Sequence, residues 1–426
     1  MPSIPQFSVP NHPKTALSLN ASLLPESSTI FTNCRLCIGG VLTASKSAFI
    51  VSDGKLDEVL YPDEGVIVGG PNIINLNNAV VAPGFLELQT NGARGFHFTH
   101  FEDKEGYAAE IEKVSTYLPR TGVTGFYATI PTIASEEFKR VLPALAPRDI
   151  DNGASLLGAH AEGPYLHPSK KGAHNSSLFH QPSTSPLDVY GDIATDNSTL
   201  KLVTVAPELE HASALICDLV SRNIRVSLGH SNASYADGLT ALEAGATCLT
   251  HTLNAMAPLH HRDPGLAGLV TAAPSTTLAS PWFSIIPDGN HLHPSVATML
   301  FRSNPEKCVF ITDSIELAGL EDGTYPGHSQ IPFNQTKKGS RVVIEGTETL
   351  IGGCASLSEC VQNMMKWSGC RIAEAVQCVT ENVVELMGDE ERGKLEAGRR
   401  ADFVVLDEDG NVAETWVGGM RVWRVG

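Results

Sequence analysis

A chain of 426 residues is too long for one small core, and 42% apolar with 18% charged residues is an ordinary globular composition. The formal net charge of −17 argues against nucleic acid or an anionic membrane as the main partner, though not against a small anion in a locally basic pocket. No apolar run is long enough to span a bilayer, and nine scattered cysteines without framework spacing fit a reducing, cytoplasmic compartment.

Residues 1–28 hold prolines and serines but no basic stretch followed by an apolar core. They read as a disordered tail rather than a secretory signal. Thr29 to Leu76 reads as short strands broken by turns, among them SAFIVSDGKLDEVL with an Asp53-Gly54 hairpin signal and GVIVGG at 65–70. Cys34 and Cys37 lie three apart on one such strand, so they point to opposite faces and do not share a metal. The C-terminus has the same strand-rich character, ADFVVLDEDGNVAETWVGGMRVW, with an Asp409-Gly410 turn. Each end alone is too small to bury a core, so the two are expected to build one small β-sandwich domain from 29–80 and 391–426.

Between them, 81–390 offers eight candidate parallel strands: Val81–Thr90, Gly122–Thr129, Ser155–Glu162, Leu202–Pro207, Ile224–His230, Thr247–His251, Trp282–Asp288 and Cys308–Asp313. Helical spacing separates most of them, as in Glu208–Arg222, Ser356–Trp367 and Ile372–Met387. Eight strands with intervening helices predict an α/β fold, a (β/α)8 TIM barrel, over a doubly wound open sheet, because polar residues collect at many strand ends. Pro164–Ser198 and Ile315–Gly353 read as two long loops after strands three and eight, on the face where a barrel keeps its active site.

The stretch Ile224–Met256 reads strand, helix, strand, with His230 and His251 at the two strand ends. A right-handed crossover sets such strands parallel and about 4.8 Å apart, so both imidazoles can share one metal at ~2.1 Å. Glu162 ends strand three and Asp313 ends strand eight. One glutamate and two histidines make a hydrolytic zinc-type set with a fourth position left to water, and Asp313 can serve beside it as general base and acid. A lone carboxylate or histidine more often caps a helix or satisfies a core contact; four at four strand ends are harder to assign that way. His160 reads as support behind Glu162. His97, His100 and His180 read as structural or exposed. His260-His261-Arg262 and Lys170-Lys171 form basic clusters that suit an anionic, phosphate-like substrate group, with solvated surface charge as the equal alternative. Neither a phosphate-binding Gly-Lys-Ser/Thr loop nor a G-x-S-x-G elbow is present in the sequence, which leaves a metal-activated water as nucleophile.

The motifs VVAPGFLELQTNG (80–92), HAEGPYLHPSKKGAHN (160–175), SLGHSNAS (227–234), THTLNAMAPLHHRDPG (250–265), PDGNHLH (287–293) and ITDS (311–314) resemble the N-acetylglucosamine-6-phosphate deacetylase family of the amidohydrolase superfamily. GKLEAGRRADFVVLD (393–407) resembles the superfamily's return strand into its sandwich. The resemblance implies hydrolysis of the acetamido group of a phosphorylated amino sugar. It implies one divalent metal per subunit, most simply zinc, held by Glu162, His230 and His251, with Asp313 as acid and base. It implies substrate contacts from Ala173, His174, Asn254, Ala255, Arg262, His291, Leu350, Ile351 and Gly352. It also implies a homodimer in which Arg262 and His291 can reach across from the partner subunit. Where most of the superfamily carries His-x-His on strand one, this chain has Gln89-Thr90-Asn91, so a single metal is expected. The alternatives are another amidohydrolase, a deaminase or cyclic-amide hydrolase, or a catalytically silent barrel that only binds.

Overall fold

The computed structural model describes residue 25 and residues 27–43, 47–60, 72–272 and 279–426. The expected tail, apart from residues 25, 27 and 28, and the GVIVGG strand lie outside the described residues.

Both chain ends meet in one mixed sheet. Its order runs Met420–Arg424, Val412–Val417, Phe403–Leu406, Ile73–Pro83, Thr29–Ile38, Ser47–Ser52, Lys55–Leu60, with short Val41–Leu42 beside Thr29–Ile38. The join between the ends is antiparallel, Val404 opposite Ala82 and Val405 opposite Val81. Asp53 and Gly54 take φ of 49° and 74°, the left-handed pair that a two-residue hairpin needs. Alternation along these strands sends Phe31, Phe49, Phe403 and Trp416 into one buried cluster. Phe31 stacks on Phe49 at 4.8 Å and Phe403 on Trp416 at 5.4 Å.

The middle of the chain forms an eight-stranded parallel sheet whose strands follow one another in chain order from Phe85–Thr90 to Cys308–Phe310. Alternate residues of each strand serve two cores. Leu157 and Leu202 enter one cluster with Tyr127, Cys248 and Val309. Their neighbours Leu156 and Val203 enter the larger cluster that also holds Leu215, Ile216 and Leu219 from the helix Ala212–Ser221. Past the two edge strands, the Asp313 amide donates to the Gln89 carbonyl at 2.9 Å and the Asn91 amide to the Ser314 carbonyl at 2.7 Å.

Several expectations need correction, among them the strand expected over Leu202–Pro207, which is Leu200–Val205, and the loop Pro164–Ser198, which holds the short helix Pro186–Tyr190. The first parallel strand starts at Phe85, not Val81, because Val81–Pro83 continue the terminal sheet and Gly84 makes the break. A Cβ at Gly84 would sit 2.1 Å from the Thr124 hydroxyl, so only glycine lets the chain cross there. The strands ending at His230, His251, Asp288 and Asp313 stop earlier, at Leu228, Leu249, Ile285 and Phe310, leaving the functional residues on the turns beyond. The helix expected from Glu208 starts only at Ala212, because His211 takes φ of 68°. The helix expected over Ile372–Met387 is two, Ile372–Gln377 and Glu381–Met387. Between them the carbonyls of Cys378 and Val379 turn outward to accept from the amides of Phe310 and Leu86, the last and first parallel strands. Finally, Ile315–Gly353 is not a long loop. Four short strands in it, Gly323–Tyr325, Gln335–Lys338, Arg341–Ile344 and Leu350–Gly353, form an antiparallel sheet, with turns at Gly339 and Gly346, both at positive φ.

Candidate active site

Glu162 closes the third parallel strand, and His230, His251 and Asp313 lie two or three residues past the fifth, sixth and eighth. Three of the four sit in left-handed backbone, with φ of 49° at His230, 30° at His251 and 44° at Asp313. Non-glycine residues rarely adopt such angles, at a cost of order 1–3 kcal/mol each, and they concentrate where surrounding structure fixes a functional side chain. Here the flanking parallel strands supply that constraint.

The side chains converge tightly. Oε1 of Glu162 lies 3.1 Å from Nε2 of His230 and 2.8 Å from Nε2 of His251, and the two Nε2 atoms are 3.2 Å apart. The carbonyl of Lys170, which can only accept, lies 2.8 Å from Nδ1 of His230. That places the neutral ring's proton on Nδ1 and leaves Nε2 a bare lone pair facing the carboxylate. A carboxylate oxygen and a bare imidazole lone pair, with a second imidazole nitrogen as near, suit a shared cation. The three separations are near the roughly 3.3 Å edge expected of a tetrahedron with ~2.0–2.1 Å ligand distances. Burial pushes His230 down to about 4, which keeps it neutral. Burial would raise Glu162, but the three imidazoles around it, His174, His230 and His251, hold it well below the usual carboxylate range. A divalent metal therefore fits these residues.

His174 also approaches, with Nε2 3.6 Å from Oε2 of Glu162, and Glu162, His174 and His230 group as potential metal ligands. The Thr132 amide argues against ligation by His174. It donates to Nδ1 of His174 at 3.1 Å, so the neutral ring carries its proton on Nε2, as a donor aimed at the site.

Asp313 faces the group from the eighth strand, partly open to the cavity. Its Oδ1 accepts from Nδ2 of Asn91 at 2.9 Å and Nε2 of Gln89 at 3.3 Å. Burial and the nearby charge of Glu162 raise its pKa above the ordinary value. Gln89 also donates to Oε1 of Glu162 at 3.0 Å. The two amides that stand in for imidazoles on strand one thus act as donors between carboxylates, not as metal ligands.

A cavity of about 370 Å3 opens over these residues, within the range of small-molecule sites. Of the expected contacts, Ala173, His174, Asn254, Ala255, His291, Leu350, Ile351 and Gly352 all line it. Arg262 does not; it is exposed on the turn that follows. His291 lines the cavity of its own chain and needs no partner subunit to reach it. Its Nδ1 lies 2.7 Å from Oδ2 of Asp288. Burial would lower this histidine, but the Asp288 carboxylate holds its pKa above the ordinary value. Oδ1 of Asn254 is buried without a partner among the described residues, an acceptor open to a ligand. His160 does not touch Glu162: its nitrogens bond Thr204 at 2.8 Å and Thr129 at 3.4 Å.

Sequence reasoning missed Thr132 and Asp288, which orient two pocket histidines from neighbouring loops. Asp288 carried a signal, standing three residues before His291 on one tight turn. Thr132 acts through its backbone amide and its hydroxyl, 3.1 and 3.0 Å from Nδ1 of His174, and no sequence pattern ties it to that histidine. His97, His100 and His328 also cluster beside the cavity, rings 4.9–5.4 Å apart. Nε2 of His328 is 3.2 Å from the buried carboxylate of Glu316.

The amidohydrolase family model matches residues 80–422. The N-acetylglucosamine-6-phosphate deacetylase of Caenorhabditis elegans is 36% identical over 92% of this chain and 94% of its own. The N-acetylgalactosamine-6-phosphate deacetylase of Escherichia coli O157:H7 is 31% identical over 80% of this chain and 87% of its own. The crystal structure of N-acetylglucosamine-6-phosphate deacetylase from Thermotoga maritima superposes with a TM-score of 0.77 at 28% identity, covering 93% of this chain and all of that one.

Proposed function

This chain belongs to the amidohydrolase family, and from that premise we propose that it hydrolyses the acetamido group of N-acetyl-D-glucosamine 6-phosphate, giving D-glucosamine 6-phosphate and acetate. The observation that carries the reading is the convergence of Glu162, His230 and His251 within hydrogen-bond distance of one another, with Asp313 beside them.

A divalent cation held by those three residues, zinc in this reading, supplies Lewis acidity to the amide carbonyl and to the attacking water. Asp313 takes the water proton as the carbon becomes tetrahedral. Its Oδ1 is occupied by Asn91 and Gln89, so Oδ2 is the oxygen that works. The raised pKa of Asp313 suits a group that must next return that proton to the leaving amine. His174, with its Nε2 proton fixed by Thr132, donates to the developing oxyanion. His291, paired with Asp288, and Asn254, whose open Oδ1 can accept from a sugar hydroxyl, anchor the phosphorylated sugar, and that binding orients the reacting bond.

The wider architecture follows the same reading. In it the parallel sheet is a closed (β/α)8 barrel entered at Phe85, and 29–83 with 391–426 form its small sandwich domain. The backbone bonds between residues 89–91 and 313–314 support closure. A cytoplasmic homodimer completes the proposal. Nine unpaired cysteines suit that compartment, and exposed Arg262 contributes to a phosphate site only from a neighbouring subunit.

The test is acetate release from the 6-phosphates of N-acetylglucosamine and N-acetylgalactosamine and from the unphosphorylated sugars, by wild type and Asp313→Asn with metal content measured on both. Release from N-acetylglucosamine 6-phosphate alone, lost in Asp313→Asn at unchanged metal content, is expected. Indifference to the phosphate, or equal activity of the two proteins, overturns the reading.

A further inference from the structure

A second cavity, about 710 Å3, lies apart from the one over Glu162. It lies at the opposite ends of the same strands. Lys201 lines it near the start of Leu200–Val205, Arg225 at the start of Arg225–Leu228, and Thr247 just before Cys248–Leu249. The strands that lead to His230 and His251 therefore each begin at this second cavity.

Its charges divide into two groups. The acids are engaged. Asp149 pairs with Arg392 and Arg400, Glu391 pairs with Arg392, and Asp389 accepts the amides of Glu391 and Arg392. Arg148 is also used, donating to the carbonyls of Ala144 and Ala146. Lys201 and Arg225 are different: neither has a hydrogen-bond or ion-pair partner among the described residues. Both are only partly exposed, and burial lowers the Lys201 pKa against the opposing charges of Asp196 and Asp389.

The backbone makes room for both. A Cβ at Gly158 would lie 2.7 Å from Cγ of Lys201, and one at Gly388 would lie 2.8 Å from a terminal nitrogen of Arg225. Both glycines hold positive φ, 126° and 70°, so any other residue there would be strained and would also displace a cation. Two cations without a hydrogen-bond or ion-pair contact among the described residues, each beside a glycine, in a cavity of small-molecule size, on a protein of net charge −17, form a site suited to an anion.

We propose that this cavity binds a phosphate group, free or as the ester of a small metabolite, through Lys201 and Arg225, separately from the catalytic pocket. A phosphate of charge near −2 suits two cations that no carboxylate contacts directly, and Arg225 offers it the planar fork that phosphate recognition favours.

The test is hydrogen exchange on the full-length, metal-loaded protein with inorganic phosphate or glucose 6-phosphate, against chloride at matched ionic strength. Several-fold slower exchange is expected at 197–201, 223–225 and 387–392. A lower effective concentration for glucose 6-phosphate would identify an ester, and equal concentrations free phosphate. The Lys201→Met/Arg225→Gln double variant should lose the protection while keeping its deacetylation rate. Asn197→Asp, an exposed change at the rim that spares both cations, should weaken it. Protection absent from these segments, or unchanged in both variants, overturns the proposal.

Discussion

The side-chain amide of Gln89 donates to Glu162 at 3.0 Å and, with the same nitrogen, to Asp313 at 3.3 Å. One residue of the first parallel strand thus holds two carboxylates of opposite fate, one depressed toward permanent charge and one raised toward proton exchange. Replacing it with leucine removes two hydrogen bonds to charged groups, at about 1.5–3 kcal/mol for such a bond. Gln89→Leu should therefore lose roughly ten- to a hundredfold in kcat/KM. Steady-state kinetics beside circular dichroism would check this, and a folded variant with full activity would remove Gln89 from the site.

His174 is proposed to act on the developing oxyanion, so its loss should appear in kcat and hardly in KM. For His174→Gln we expect a fall of order 10²- to 10³-fold in kcat, the usual range for one oxyanion donor. A change confined to KM would instead make it a ground-state contact. Metal content should stay at the wild-type level, because the Thr132 amide already commits Nδ1 and leaves Nε2 a donor.

The His328–Glu316 pair predicts a pH-dependent stability. Burial would lower His328, but the Glu316 carboxylate raises it above its ordinary 6.5. The same pairing pulls Glu316 down to about 2 against the effect of its burial, so Glu316 stays ionised throughout. A raised folded pKa means the unfolded chain binds fewer protons near neutrality. The His328 contribution is then complete below pH 6.5 and fades as pH rises through its folded value. The Tm gap between wild type and His328→Gln should be widest below pH 6.5 and narrow above it. The titration of neighbouring His97, pushed by burial to about 3, is common to both proteins and cancels to first order in that gap. A gap that grew with pH would contradict the assignment.

Trp416 is 7% exposed and packs on Phe403 and Phe31 at 5.4 and 5.0 Å. Trp416→Ala should cost about 3–5 kcal/mol. Because Phe31 comes from one chain end and Trp416 from the other, thermal unfolding should report the loss in both arms of the sheet together. Separate transitions for the two arms would show that they do not share a core.

Much of this site was legible from strand ends. Ser155–Glu162 is the strand that the sequence predicts, and Glu162, His230, His251 and Asp313 do meet, because parallel strands bring their carboxyl ends to one face. The boundaries after Leu228, Leu249 and Phe310 were not legible. There the chain turns into left-handed backbone, a tertiary constraint that leaves the apolar pattern unchanged. The 323–353 sheet escaped because its strands are three or four residues long and polar, as in Gln335–Lys338, too short for alternation to stand out. The three-histidine group escaped because His97 and His328 are brought together only by the folded loops.

The seam between Ile73–Pro83 and Phe403–Leu406 imposes an order of events on synthesis. Val80, Val81 and Ala82 gain their antiparallel partners only after the ribosome has released nearly the whole chain. Until then the strand that leads into the catalytic sheet keeps a naked apolar edge, the kind that recruits other nascent chains. A message truncated shortly before codon 403 would leave every pocket residue encoded and yet yield a protein prone to aggregate.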